Sequence, residues 1–440
     1  MLERARILDE GDPLKEYRER FLVPEGVIYL DGNSLGCLPR ATPARLEQVV
    51  REEWGSDLIR SWNSAGWIDL PARVGAKIAP LIGAQPHEVI ACDSTSVNLF
   101  KLISAALAMR PGRKVVLSEP GNFPTDLYMI EGLAKQGLAE RRLAPRETIA
   151  DALGADVALL MLTHTHYKTG ELFDMAALTR AAHAAGALVL WDLSHSGGAL
   201  PVDLNTCEVD FAVGCGYKYF NGGPGAPAYA FVAERHQEAA QQPLTGWMGH
   251  AAPFAFSDDY APAAGIDRML CGTPPILGLA ALEVGVDLIA EIGVERLYAK
   301  SQALSEFFRQ CLSESGILAL SPSGERVGRG ENEPTQHDSP SPQPPPLKGR
   351  GSALDLASPT DPSRRGSQLS FRHPDAYAIC QALIARDVIG DFRDPDILRF
   401  GFAPAYLRFE DMVEAARHLA EVLASGEWQK TEFSERAMVT

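Results

Sequence analysis

ALVLWDLSHSGGALPVDLNTCEVDFAVGCGYKYFNGGPG, residues 187 to 225, decides the fold. It reads as a buried apolar strand ending in Asp192, a short connection, a second strand from Val209 to Gly214, and then Lys218 among small residues in a glycine-rich loop. A carboxylate at a strand end followed some 26 positions later by a loop lysine is what a pyridoxal phosphate site requires. The amine condenses with the cofactor aldehyde, and the carboxylate keeps the pyridine nitrogen protonated so that the ring accepts electrons. Alone, Lys218 could be a solvated charge and Asp192 a turn residue. Set beside Trp191, His195, Tyr217 and the GGPG run, the pair is far more specific.

Working outward, VALLMLT (157 to 163) is a continuous apolar run, the mark of a strand covered on both faces. The spacing predicts a helix over 174–185 and then the strand ending in Asp192, so strand, helix and strand alternate as in a parallel sheet flanked by helices. Ligands of such sheets gather at strand C-termini, where Thr163 and Asp192 both fall. Upstream, EVIACD is a short strand running into DSTS, and SVNLFKLISAALAM has apolar residues at helical spacing. Thr95 and Ser96 therefore open a helix, where free N–H groups and the dipole favour an anion; a plain N-cap is the competing reading. NFPTDLY (122 to 128) opens another helix, in which Phe123 could be a core residue and Asp126 a first-turn acid. RSWNSAGW (60 to 67) offers Trp62 and Trp67 either as packing aromatics or as a wall for an aromatic substrate. A helix start is expected at Thr42, with that threonine as N-cap.

The 440 residues carry 46% hydrophobic and 22% charged side chains, values of a soluble globular enzyme large enough for two domains. A formal charge of −16 disfavours nucleic acid or an anionic membrane as partner. Seven cysteines without a CxxC pair fit neither a disulfide framework nor a zinc finger, and no metal site is expected. The N-terminus lacks an apolar signal region and no run approaches 18 apolar residues, so a cytoplasmic location is expected. Residues 322 to 366 differ in composition: nine of the chain's 31 prolines lie there, PSPQPPP (340 to 346) among them, and aromatics are absent. A disordered or polyproline-like loop is expected. Beyond it, QLSFRH, DILRFGF and the helical stretches between and after them read as a small α/β domain. Arg399, inside ILRFGF, is a strand guanidinium suited either to an internal ion pair or to bidentate binding of a carboxylate.

Taken together, LDGNSLG (30 to 36), RSWNSAGW, DSTSVNLF (93 to 100), NFPTDLY, WDLSH (191 to 195), GCGYKYFNGGPG (214 to 225), GWMGH (246 to 250), CGTPPI (271 to 276) and LRFGFAP (398 to 404) resemble the kynureninase family. These are pyridoxal phosphate hydrolases of tryptophan catabolism and NAD biosynthesis within the aspartate aminotransferase superfamily, fold type I. The resemblance implies an α/β fold: a large domain with a mainly parallel sheet flanked by helices, over 51–295, and a smaller α/β domain over 296–440 to which residues 1–50 contribute. It implies cleavage of L-kynurenine, and of its 3-hydroxy form, to anthranilate (or 3-hydroxyanthranilate) and L-alanine, with Lys218, Asp192 and Tyr217 catalytic. Thr95, Ser96, Phe123, Asp126, Thr163, His195, Trp247 and Thr273 would hold the cofactor, His195 at its phosphate end. Arg399 would take the substrate carboxylate, with Trp62 and Trp67 near the substrate ring. A homodimer with shared sites follows, Trp247 and Thr273 reaching the neighbour's cofactor phosphate. Two alternatives differ. A cysteine desulfurase-like lyase usually has histidine before the lysine, where this chain has Tyr217, and would need Cys271 as a nucleophile. A non-catalytic amine- or cofactor-binding module would not need both Lys218 and Asp192.

Overall fold

The computed structural model describes residues 1–318 and 354–436. Thirteen strands appear in them: β1 (Ile28–Tyr29), β2 (Val89–Ala91), β3 (Val115–Ser118), β4 (Glu140–Leu143), β5 (Val157–Thr163), β6 (Leu188–Asp192), β7 (Phe211–Gly214), β8 (Tyr229–Val232), β9 (Asp355–Leu356), β10 (Gln368–Arg372), β11 (Val388–Ile389), β12 (Asp391–Arg393) and β13 (Ile397–Gly401). Seven form one sheet in the order β2-β8-β7-β6-β5-β3-β4. From β4 to β7 the neighbours are parallel; β8 runs antiparallel to both β7 and β2.

The apolar run of β5 is buried along its whole length because both sheet faces are covered. Leu159 and Met161 join one core with the Thr95–Ala108 helix, while Leu160 and Leu162 face a second core with the Ile276–Ile292 helix. That alternation follows from the two-residue period of a strand. The register pairs Thr163 with Asp192 and Asp192 with Val213, so three strand C-termini stand side by side.

The second sheet, β12-β13-β10-β9, is antiparallel and packs with the helices Ala376–Ile384, Val294–Glu314 and Phe409–Ser425. The N-terminal segment joins this unit: β1 pairs with β11, and Asp9 accepts the main-chain N–H groups of Phe409 and Glu410 at the start of the last long helix. Expectation and structure differ at Thr42, which lies inside the first turn of the Thr42–Gln48 helix behind Ala41 and caps nothing.

A larger correction concerns the Pro-rich stretch. Residues 319–353, which hold most of it, lie outside the described residues. Its last part, 354–366, is built structure: β9 pairs with β10, and Arg364 and Gly366 join the 165–172 turn of the large sheet's domain through Leu172 N–H to Arg364 O and Gly366 N–H to Gly170 O. Arg365 has no exposed surface and donates to the carbonyls of Pro359 and Thr360, at 2.9 and 3.1 Å, with Glu306 at 3.5 Å. A charged side chain in polar sequence looks like loop; here its guanidinium is the knot that ties the turn. Arg365→Ala leaves the carbonyls of Pro359 and Thr360 without this donor, while Glu306 keeps Arg309, and is expected to lower unfolding free energy by about 1–3 kcal/mol, measurable by urea denaturation. A midpoint unchanged within error would show this turn to be dispensable.

Candidate active site

Two close approaches fix the lysine loop. A Cβ on Gly36 would lie 2.2 Å from the carbonyl oxygen of Lys218, and one on Gly285 would lie 2.0 Å from that of Phe220. Only glycine lets the LDGNSLG turn and the Ile276–Ile292 helix press on the backbone around Lys218, and Gly36 N–H also donates to Tyr217 O at 2.8 Å. The lysine side chain is thereby aimed inward and buried at 8% exposure.

It meets a cavity of about 300 Å³ at the C-termini of β5 and β6. At one end are Ser94, Thr95 and Ser96, the N-terminus of the 14-residue helix Thr95–Ala108, with Ser94 as its cap. The N–H groups of that first turn have no partner within the helix. Asp192, Lys218, Asp126 and Thr163 line the same space, as does Phe123 at 37% exposure. Thr163 Oγ1 is 2.5 Å from Asn122 Oδ1 and 3.0 Å from Asp126 Oδ2.

Burial dominates the electrostatics. It raises the Asp126 and Asp192 carboxyls, and the two repel each other further at Asp126; Ser194 N–H, 2.7 Å from Asp192 Oδ1, works the other way. Lys218 is pushed down by burial, toward a free amine. Burial and the Lys218 charge also hold His195 well below the ordinary imidazole range, so the ring is neutral. Its Nε2 is 2.9 Å from Lys218 Nζ, and its Nδ1 is buried without a hydrogen-bond partner among the described residues. His195 therefore sits beside the lysine amine in the cavity. Tyr217 lines the cavity too, its phenol pushed up by burial.

The donor set fits pyridoxal phosphate: an anion-binding helix terminus, a buried carboxylate, an aromatic face and a desolvated amine share one cavity, and the orphaned Nδ1 of His195 points to a polar group not yet supplied. Five residues expected at the site do not line this cavity. Trp67 donates through Nε1 to Glu53 at 2.7 Å, and Trp62 packs edge-on against it with ring centroids 6.1 Å apart. Trp247 and Thr273 occupy two loops that pack on each other, where a Cβ on Gly246 would meet Cys271 O at 2.2 Å. Arg399 is 1% exposed and donates through Nε and Nη2 to both oxygens of Asp391, through Nη2 to Ser34 Oγ and through Nη1 to Tyr167 O.

Four cavity residues went unnoticed in the sequence: Ser94, Thr125, Ser194 and Tyr167. The first three adjoin recognised positions and could have been read from them. Tyr167 lies in HTHYKTG, which has neither periodicity nor motif; its ring meets Phe123 edge-on at 5.2 Å, and its carbonyl accepts from Arg399 and, at 3.0 Å, from Gln368 Nε2.

Comparison with known proteins adds two family matches, "Aminotransferase class-V" over residues 28–328 and "Kynureninase C-terminal domain" over residues 347–419. The chain is 46% identical over 445 residues to the kynureninase of Burkholderia mallei (strain ATCC 23344), covering all of this chain and 99% of that one. It is 45% identical over 440 residues to the kynureninase of Pseudomonas fluorescens, covering 98% of each. Among solved structures it is similar to the apo cysteine desulfurase of Thermococcus onnurineus NA1, with a TM-score of 0.74 at 17% identity over 93% of this chain and 98% of that one. A C-DES mutant with glycine covalently linked to its pyridoxal phosphate matches with a TM-score of 0.73 at 17% identity, over 92% and 98%. At such identity these two speak for the fold alone.

Proposed function

From the premise that the chain belongs to the kynureninase family, pyridoxal phosphate-dependent hydrolases of carbon–carbon bonds, we propose that the cavity at Lys218 is where L-kynurenine and water become anthranilate and L-alanine. The observation that carries this is the meeting of Lys218, Asp192 and an anion-binding helix terminus in one cavity. When bound, pyridoxal phosphate supplies an aldehyde for amines and a ring that accepts the electron pair of the broken bond.

Thr95 and Ser96 hold the phosphate with first-turn N–H groups and hydroxyls. Asp192, held in line by Ser194 N–H, would keep the cofactor's ring nitrogen protonated. Phe123, Asp126 and Thr163 would hold the cofactor ring. Lys218 removes the proton from the substrate Cα; burial lowers its basicity and so favours the free amine. His195 is a neutral neighbour of that amine. It neither repels it nor competes for the proton. Tyr217, protonated at neutral pH, donates a hydrogen bond and relays a proton late in the reaction. Arg399, backed by Asp391, belongs to the wall that receives the substrate carboxylate, and Trp62 and Trp67 stand on the aromatic side. The same site accepts 3-hydroxykynurenine. Incubating the purified protein and pyridoxal phosphate with L-kynurenine is expected to yield anthranilate fluorescence; none after cofactor loading would overturn the reading.

The protein works as a homodimer in the cytoplasm, in tryptophan catabolism and NAD biosynthesis. The dimer reading rests on surface chemistry. Phe254 meets both Trp247 and Phe256 edge-on, the three being 58%, 38% and 76% exposed, while Leu58 and Ile59 are 59% and 77% exposed. Solvent-facing apolar groups of this size mark an interface. Trp247 and Thr273 then complete the partner's phosphate site. A one-to-one mixture of inactive Lys218→Ala and Thr273→Trp proteins, unfolded and refolded together, is expected to recover about a quarter of parental activity, because half the dimers are hybrids and one of their two sites is intact. No recovery despite hybrid formation would place each site within one chain. The seven cysteines are all free thiols, consistent with a reducing compartment. Among the described residues, no helix is long and apolar enough to cross a membrane.

A further inference from the structure

Four charged groups meet where the LDGNSLG turn crosses the C-terminal sheet. β12 and β13 bring Asp391, Arg393 and Arg399 together: Asp391 accepts from Arg399 as described and lies 2.7 Å from Arg393 Nη2, and Ser34 Oγ donates to Asp391 Oδ2 at 2.8 Å. Arg393 also donates to Ser34 Oγ at 3.1 Å, its side chain remains one-third exposed, and its Nε is buried without a partner. Asp31 is the fourth. Its backbone bridges to Gly401 at the end of β13, its carboxyl is within electrostatic reach of all three, and its Oδ1 is buried without a hydrogen-bond partner among the described residues.

With both carboxylates ionised, the two guanidiniums are neutralised and an arriving carboxylate meets no net positive charge. One proton on Asp31 leaves a surplus of one positive charge, which a single substrate carboxylate cancels. We propose that Asp31 is the charge-setting residue of the substrate-carboxylate site, taking up a proton as the amino-acid substrate binds, with the partly exposed Arg393 as the guanidinium that meets the carboxylate beside Arg399. This rests on the amino-acid substrate assigned above and names how its carboxylate is recognised.

The local chemistry agrees. Burial, then the Asp391 charge, push the Asp31 carboxyl up to about 7, whereas Arg399 and Arg393 hold Asp391 ionised below the ordinary range. The other titratable groups facing Asp31 are Tyr29, Tyr219, Tyr406 and Cys380, and burial raises all four, so none changes charge near neutrality. Asp31 is therefore the member of the cluster that responds to pH there. The sign is fixed: below the transition the site carries its positive surplus and binds well; above it the surplus is lost and KM rises, by up to about tenfold per pH unit.

The test uses the holoenzyme with L-kynurenine from about pH 6 to about pH 8.5. The parent KM is expected to rise roughly fivefold or more, and that of Asp31→Asn, fixed in the uncharged form, to stay within about twofold. The decarboxylated amine analogue of L-kynurenine, a competitive inhibitor that shares every other ionisable group of the substrate, is expected to lack this rise on the parent. A flat parent KM, the parental rise in Asp31→Asn, or an equal rise for the analogue overturns the proposal. If Asp31→Asn does not fold, the substrate and analogue compared on the parent decide it. Absence of anthranilate at every pH would instead strike the activity itself.

Discussion

Lys218→Ala is expected to lower turnover of L-kynurenine by at least about 10³-fold, a barrier increase of about 4 kcal/mol, because one side chain both anchors the cofactor and moves the substrate proton. Borohydride reduction of the parent is expected to fix the cofactor on the peptide carrying Lys218, and the variant to keep none. Cofactor recovered on another lysine would sink the assignment. The nearest rival shows why position matters: Lys101 is more deeply buried than Lys218, but its amine is consumed by an ion pair with Asp93 and a 2.6 Å hydrogen bond to Met269 O. Among the described residues Lys218 Nζ has only the neutral imidazole of His195 at hydrogen-bond distance, so its amine is available. Ammonia or methylamine restoring part of the variant's turnover would separate lost proton transfer from lost folding.

How much of this was legible in the sequence depended on how local the signal was. The run VALLMLT announced a strand buried on both faces, and β5 spans those seven residues. The Ser94-capped helix could be read because a cap and apolar spacing are both short-range features. Asp192 and Thr163 could be placed together because parallel strands end at the same sheet edge. The turn 354–366 could not: composition measures an average, and nothing in PSRRG tells that one of two adjacent arginines is wholly buried while Arg364 pairs with Glu171 at the surface. Nor could the partner of Arg399, since DFRDPD offers Asp391, Asp394 and Asp396. The antiparallel register sets Asp391 opposite Arg399, whereas Asp394 pairs with Arg436 and Asp396 with Arg372.

Arg399 carries the other large effect, and it separates two roles that coexist at one guanidinium. Arg399→Met leaves Asp391 buried with only Arg393 as counter-charge, so unfolding free energy is expected to fall by about 3 kcal/mol, the lower end for breaking a buried pair. Removal of both partners in Arg399→Met/Asp391→Leu takes away the uncompensated charge and is expected to recover most of that loss. A purely structural arginine would then regain kinetics together with stability. An arginine that also helps to receive the substrate would not: KM for L-kynurenine should stay roughly 10- to 100-fold above the parent in the double variant, the value of one or two charge-assisted hydrogen bonds. Cofactor affinity should remain near the parental level in both, because Arg399 lies outside the cavity that holds the helix terminus and Lys218. Urea denaturation and steady-state kinetics on the same preparations decide it. A double variant with parental stability and parental KM would confine Arg399 to its ion pair and leave the substrate carboxylate to Arg393.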